Sequence, residues 1–141
     1  MEEMNIIKIL IKEPCKPPYV KEIENTYEKM KESVGGYLES VEMPGLRNVD
    51  IFVNEEGKLE HLPGNFWLPE YRDCVCGTCY IVGYDPDEGE SISLTDNQIE
   101  KCKQYISNYE LPEGLDLYKD FQLLELYMMS KYRKLKQISE M

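Results

Sequence analysis

The chain has 141 residues, 42% of them apolar and 30% charged, with a formal charge of −11. That length supports one ordinary core, burying roughly 65–70% of the surface an unfolded chain exposes, and the apolar fraction excludes a disordered composition. The acid excess excludes a phosphate-backbone binder, because such affinity comes mainly from Lys and Arg displacing counterions, so no direct nucleic-acid contact is expected.

In chain order, residues 5–12 place Ile7, Ile9 and Ile11 on one side and Lys8 and Lys12 on the other, the period-2 pattern of a strand. Pro14, Pro17 and Pro18 stop it. Asn25-Thr26-Tyr27-Glu28 offers an N-cap, and Tyr27, Met30 and Val34 fall at helical spacing before Gly35-Gly36. Residues 37–42 and 49–54 read as strands separated by Pro44-Gly45, with the next turn at Glu55-Glu56-Gly57-Lys58. Residues 59–72 carry two prolines, a glycine and the single Trp67 without a sustained period, which predicts an ordered loop with room for one helical turn. Residues 74–82 are nearly all apolar, β-branched or aromatic and predict a central strand buried on both faces. An acidic turn covers residues 84–90. Thr95-Asp96-Asn97-Gln98 then has the capping-box form ahead of Ile99, Cys102, Tyr105 and Ile106. Finally Leu117, Phe121, Leu124, Met128 and Leu135 recur at helical steps, predicting an amphipathic helix over about residues 116–137 that ends on Lys131, Arg133, Lys134 and Lys136.

This order predicts an α+β fold: a single domain with a mostly antiparallel sheet of about four strands packed on helices, and a long C-terminal helix. Residues 1–110 form the core, and residues 111–141 hold the amphipathic helix, packed on the same domain or on a partner subunit. No run of about 20 apolar residues is present for a membrane span, and Met1-Glu2-Glu3-Met4 is acidic where an export signal would be basic. A cytoplasmic location without membrane contact is expected. Five cysteines (Cys15, Cys74, Cys76, Cys79, Cys102) are an odd number, which argues against a disulfide framework.

Five blocks stand in a fixed order: Val34-Gly35-Gly36-Tyr37-Leu38-Glu39, Asn54-Glu55-Glu56-Gly57-Lys58, Leu62-Pro63-Gly64-Asn65, Gly77-Thr78 with Ile81-Val82-Gly83, and Leu94-Thr95-Asp96-Asn97-Gln98-Ile99. Over roughly residues 5–107 this order resembles a small domain-of-unknown-function family of phages, plasmids and other bacterial mobile elements. The resemblance implies a mobile-element accessory role and supplies no catalytic residue. Cys74, Cys76 and Cys79 depart from it, as does the C-terminal helix.

Cys74-x-Cys76-x-x-Cys79 is the pattern that invites a metal or redox reading, with Cys102, Cys15 and His61 as further ligands. Strand alternation opposes it by turning Cys79 away from Cys74 and Cys76, so the thiols read as small core hydrophobes and no metal or cofactor is expected. His61 has no serine, cysteine or acid at a triad spacing and reads as a surface residue. Glu55 and Glu56 are adjacent in a tight turn, where carboxylates point apart and stay solvated. The turn at Asp85 begins like a calcium loop but has Glu90 where the bend requires glycine. Eleven tyrosines either pack the shell of the core or serve an interface.

These readings lead to a non-enzymatic acidic binding protein of mobile-element type, an anti-defence or regulatory inhibitor acting on a basic protein surface. Its expected binding residues are Glu55, Glu56, Asp85, Asp87, Glu88 and Glu90, and its expected partner is a basic, nucleic-acid-binding protein, with a homodimer through the C-terminal helix as a further association. The alternatives are a small metal- or redox-linked protein using Cys74, Cys76 and Cys79, and an uncharacterised enzyme.

Overall fold

The alternating isoleucines do form a strand, β1 (Ile6–Lys12), but neither face of it is solvated. Ile7, Ile9 and Ile11 join a cluster with Met30 and Val34, whereas Leu10 enters a second cluster on the opposite face with Ile99, Cys102 and Ile106. A sheet covered on both sides follows from that double burial. The structure, a computed structural model, describes residues 5–57 and 60–139. The expected acidic N-terminus, residues 1–4, and Lys58 and Leu59 lie outside the described residues, as does the side chain of Tyr118.

After β1 come β2 (Tyr19–Glu24), α1 (Tyr27–Val34), β3 (Leu38–Glu42), β4 (Val49–Asn54), β5 (Gly64–Leu68), a 3-10 turn (Pro69–Tyr71), β6 (Asp73–Cys76), β7 (Cys79–Asp85), β8 (Glu90–Ile92), α2 (Asp96–Tyr109) and α3 (Leu117–Ser139). The main sheet is antiparallel in the order β2-β1-β7-β4-β3, with β8 also on β7, and β5-β6 makes a separate two-stranded sheet. The fold is thus α+β with a long C-terminal helix, but the described residues form eight strands where about four were expected.

Four differences from the sequence pattern have physical causes. The prolines do end β1, but an unexpected strand follows them: β2 begins at Tyr19, directly after Pro18, and runs antiparallel to β1 along the sheet edge, where a missing N–H is tolerated. Residues 74–82 are two strands in two sheets, because Gly77 takes φ +80° and turns the chain, its N–H donating to the Pro63 carbonyl at 2.7 Å. β5 lies in the expected loop; all five of its residues are buried, so no alternation marks it. Lys12, on the expected polar side of β1, is completely buried, its ammonium donating to Glu110 Oε1 at 2.8 Å and to the Glu13 carbonyl at 2.6 Å.

The helices start as their caps dictate. Thr26, not Asn25, caps α1 by accepting from the Lys29 N–H, and Thr95 and Gln98 complete a reciprocal capping box on α2. α1 covers one face of the main sheet and α2 the other. α3 docks on β5-β6, where Leu124, Met128 and Met129 close a third cluster with Trp67, Cys74, Cys76, Tyr109 and Leu111; the Phe121 ring sits 5.6 Å from that of Trp67. Leu124→Ala is therefore expected to cost about 2–4 kcal/mol of stability. Leu123→Ala, at a 70% exposed position, should change stability by less than about 0.5 kcal/mol. Urea-unfolding midpoints report both, and equal shifts would mean that this face of α3 is not the docked one.

Candidate functional site

Where the β5-β6 pair stands beside the main sheet, a cleft of about 440 Å³ opens between it and the β3–β4 strands. Its walls carry Val41, Val53, Leu68 and Val75, and its rim carries the carboxylates Glu39, Glu55 and Asp73, with no lysine, arginine or histidine among the described lining residues. The Asn54 side chain organises the turn that presents Glu55: its Oδ1 accepts from the Glu56 N–H at 2.8 Å, while the Glu55 N–H donates to the Tyr37 carbonyl at 2.8 Å. Gly57 lets this turn approach β6, since a Cβ there would stand 2.9 Å from the Cys76 carbonyl oxygen. At the other end, the Tyr71 hydroxyl donates to the Glu42 carbonyl at 2.8 Å and ties the 3-10 turn to edge strand β3. Burial first, then Glu42 and Glu70, hold the Tyr71 phenol above its usual pKa, so it stays neutral and able to donate.

The six acids expected to bind do not form one patch. Glu55 lines the cleft, and Glu56 is exposed beside it in the same turn. Asp85, Asp87, Glu88 and Glu90 lie in the β7-β8 hairpin, where Asp85 Oδ1 accepts from the N–H groups of Asp87 at 3.0 Å and Glu88 at 3.4 Å. The register Val49↔Gly83 and Phe52↔Tyr80 puts that hairpin at the far end of the sheet from Glu55. At about 3.3 Å per residue the two groups are roughly 26 Å apart. Glu39 and Asp73, which the sequence reading missed, join Glu55 by different routes: Glu39 through the β3–β4 register, and Asp73 because the second sheet meets the first here.

The cysteines divide, but between two strands of two sheets, not by alternation along one. Cys74 and Cys76 have their sulfurs 3.8 Å apart and both line the cleft, whereas Cys79 lies in the main core with Cys102. Burial raises both of the latter thiols to a pKa of about 12, Cys79 being drawn slightly back by Lys12. Among the described residues no three His, Cys, Asp or Glu side chains converge as a metal site. His61 is exposed, with a left-handed backbone at φ +57°, and lines a second cavity of about 270 Å³ with Cys74, Asp116 and Phe121. No helix among the described residues is long and apolar enough to cross a membrane.

On the other side of the sheet edge, Glu42 and Asp50 are direct cross-strand neighbours. Burial, then Glu42, raises the Asp50 pKa. A raised carboxyl pKa means that the folded state favours the protonated acid: the stabilising contribution is complete below the unfolded value of about 3.9 and is lost as pH rises through the folded value. Asp50→Asn is accordingly expected to be more stable than the native chain at pH 7, by less than about 1 kcal/mol. The difference should shrink as pH falls through the folded value and be gone below about 4. Thermal melts across that range measure it, and a gap independent of pH would exclude this carboxylate pair as its cause.

No curated protein and no solved structure matches the chain significantly. One family model does, over residues 7–107, a span that holds the main sheet, the cleft strands and nearly all of α2 and stops short of α3; the chain belongs to that family, the domain of unknown function DUF3846.

Proposed function

We propose that this protein is a non-enzymatic binding module whose acidic cleft receives a basic segment of another protein. The observation that carries the reading is the cleft itself, where Glu39, Glu55 and Asp73 stand around apolar walls. Such a site offers a lysine or arginine side chain both charge and cover for its aliphatic stem. Edge strand β3 adjoins it, so an extended partner has backbone groups to pair with as well. The net charge of −11 adds long-range attraction. In the mobile-element setting that the sequence blocks resemble, the fitting partner is a cytoplasmic nucleic-acid-binding protein, host- or element-encoded. The carboxylates would stand where phosphates otherwise bind, as an anti-defence or regulatory inhibitor does. Asp85, Asp87, Glu88 and Glu90 serve this role at a distance, by steering the partner, while Glu55 and Glu56 meet it.

Fluorescence anisotropy with a labelled Lys/Arg-rich peptide, and a Glu/Asp-rich peptide as control, tests the reading. Binding confined to the basic peptide and weakening with salt is expected. Combining Glu39→Gln, Glu55→Gln and Asp73→Asn should weaken it roughly tenfold, or about 1.4 kcal/mol. Amide replacements at Asp87 and Glu88 should leave the off-rate unchanged. A basic peptide that binds the cleft variant as tightly as the native protein refutes the proposal.

One observation favours a second reading. The Cys74 and Cys76 sulfurs, 3.8 Å apart at the cleft, are spaced to hold one thiophilic centre between them. In this alternative the protein is metal- or redox-linked through that pair, without Cys79. Phenylarsine oxide, which bridges close dithiols, should then bind one equivalent that Cys74→Ser or Cys76→Ser abolishes. Equal uptake by these variants and the native protein would eliminate it.

A further inference from the structure

α3 is apolar on two sides, and its own domain covers only one of them. Leu124, Met128 and Met129 face β5-β6, while Leu123, Leu126 and Tyr127 on the outer side are 70%, 68% and 65% exposed. These three stand at i, i+3 and i+4, so they form one contiguous ridge on the helix surface. A surface helix that needs only one covered face ordinarily carries polar residues on the other.

The charges along α3 identify what covers the ridge. Residues 116–126 carry Asp116, Asp120 and Glu125 against Lys119, whereas residues 127–139 carry Lys131, Arg133, Lys134 and Lys136 and no acid. A parallel copy would set the four cations beside four more; an antiparallel copy sets them against the acidic half. We propose that a second copy of this chain docks on α3 through an antiparallel, two-fold pairing centred between Leu126 and Tyr127. Asp120 precedes Leu126 by six positions and Lys134 follows Tyr127 by seven, so in this register Asp120 of one copy and Lys134 of the other lie at nearly the same height on the same flank of the pair, with Arg133 at that height on the opposite flank. A two-fold contact of this kind is isologous, and each pairing occurs twice.

A specific interface commonly buries about 800 Å² per partner, and three side chains fill only its centre. The association is therefore weak and concentration-dependent, with a dissociation constant on the order of 10 μM. It uses a surface remote in role from the acidic cleft and stands whether or not the cleft binds a basic segment.

Sedimentation velocity of the full chain over roughly 5–500 μM provides the test. Expected is a monomer–dimer equilibrium that Leu126→Glu abolishes while leaving far-ultraviolet circular dichroism unchanged, as befits an exposed position. Asp120→Lys should weaken dimerisation about tenfold, and adding Arg133→Glu and Lys134→Glu to it should restore the dimer. A monomer at every concentration, or a dimer indifferent to Leu126→Glu, overturns the proposal. A monomer that binds anionic phosphatidylglycerol vesicles and loses them on Leu126→Glu also overturns it, assigning the ridge to a lipid surface.

Discussion

A lysine with no exposed surface holds the architecture together. The Lys12 ammonium cannot remain buried without a partner, and Glu110, immediately beyond the end of α2, supplies it. Around this ion pair the Asn65 amide donates to the carbonyls of Lys12 and Gly77, each at 2.9 Å, and the Leu111 N–H donates to the Asn65 carbonyl at 3.0 Å. One polar knot thereby joins β1, the start of β5, the turn between β6 and β7, and the exit of α2. Because it fixes the turn at Gly77, it fixes where the chain leaves one sheet for the other, and the cleft exists only because of that departure.

Legibility in the sequence followed exposure. The capping box at Thr95 and Gln98 and the heptad-like run of α3 were readable because half of each helix faces water, which keeps the apolar period visible. β1 was found from its isoleucines, yet the role of Lys12 was misjudged, since a charged residue at an alternate position normally signals solvent. β5, buried at every position, offers no contrast, and its strand character was invisible. The break at Gly77 was hidden for a related reason: a glycine inside an apolar run reads equally as strand, bulge or turn, and only the acceptor at Pro63 decides.

The candidate site was legible only in part. Glu55 was found because turn chemistry marks the surface directly. Glu39 and Asp73 could not be grouped with it, since the grouping depends on register and on two sheets meeting, neither of which has a local signature. The same lesson separates the hairpin acids: similar residues at similar turns lie at opposite ends of a strand pair, and composition alone merges them. Alternation does put Cys74 and Cys76 on one face of β6, but Cys79 is parted from them by the turn at Gly77, which carries it into the other sheet.

α3 lies beyond the matched family span and seals an apolar platform formed largely within that span, by Trp67, Cys74 and Cys76. In binding terms it is a helix-in-groove ligand supplied in cis, tethered by the seven residues 110–116 that separate α2 from α3. A short tether holds such a ligand at an effective concentration in the millimolar range. Any foreign helix seeking the Trp67 platform must overcome that local concentration, so the platform is silenced by connectivity as much as by the strength of its contacts.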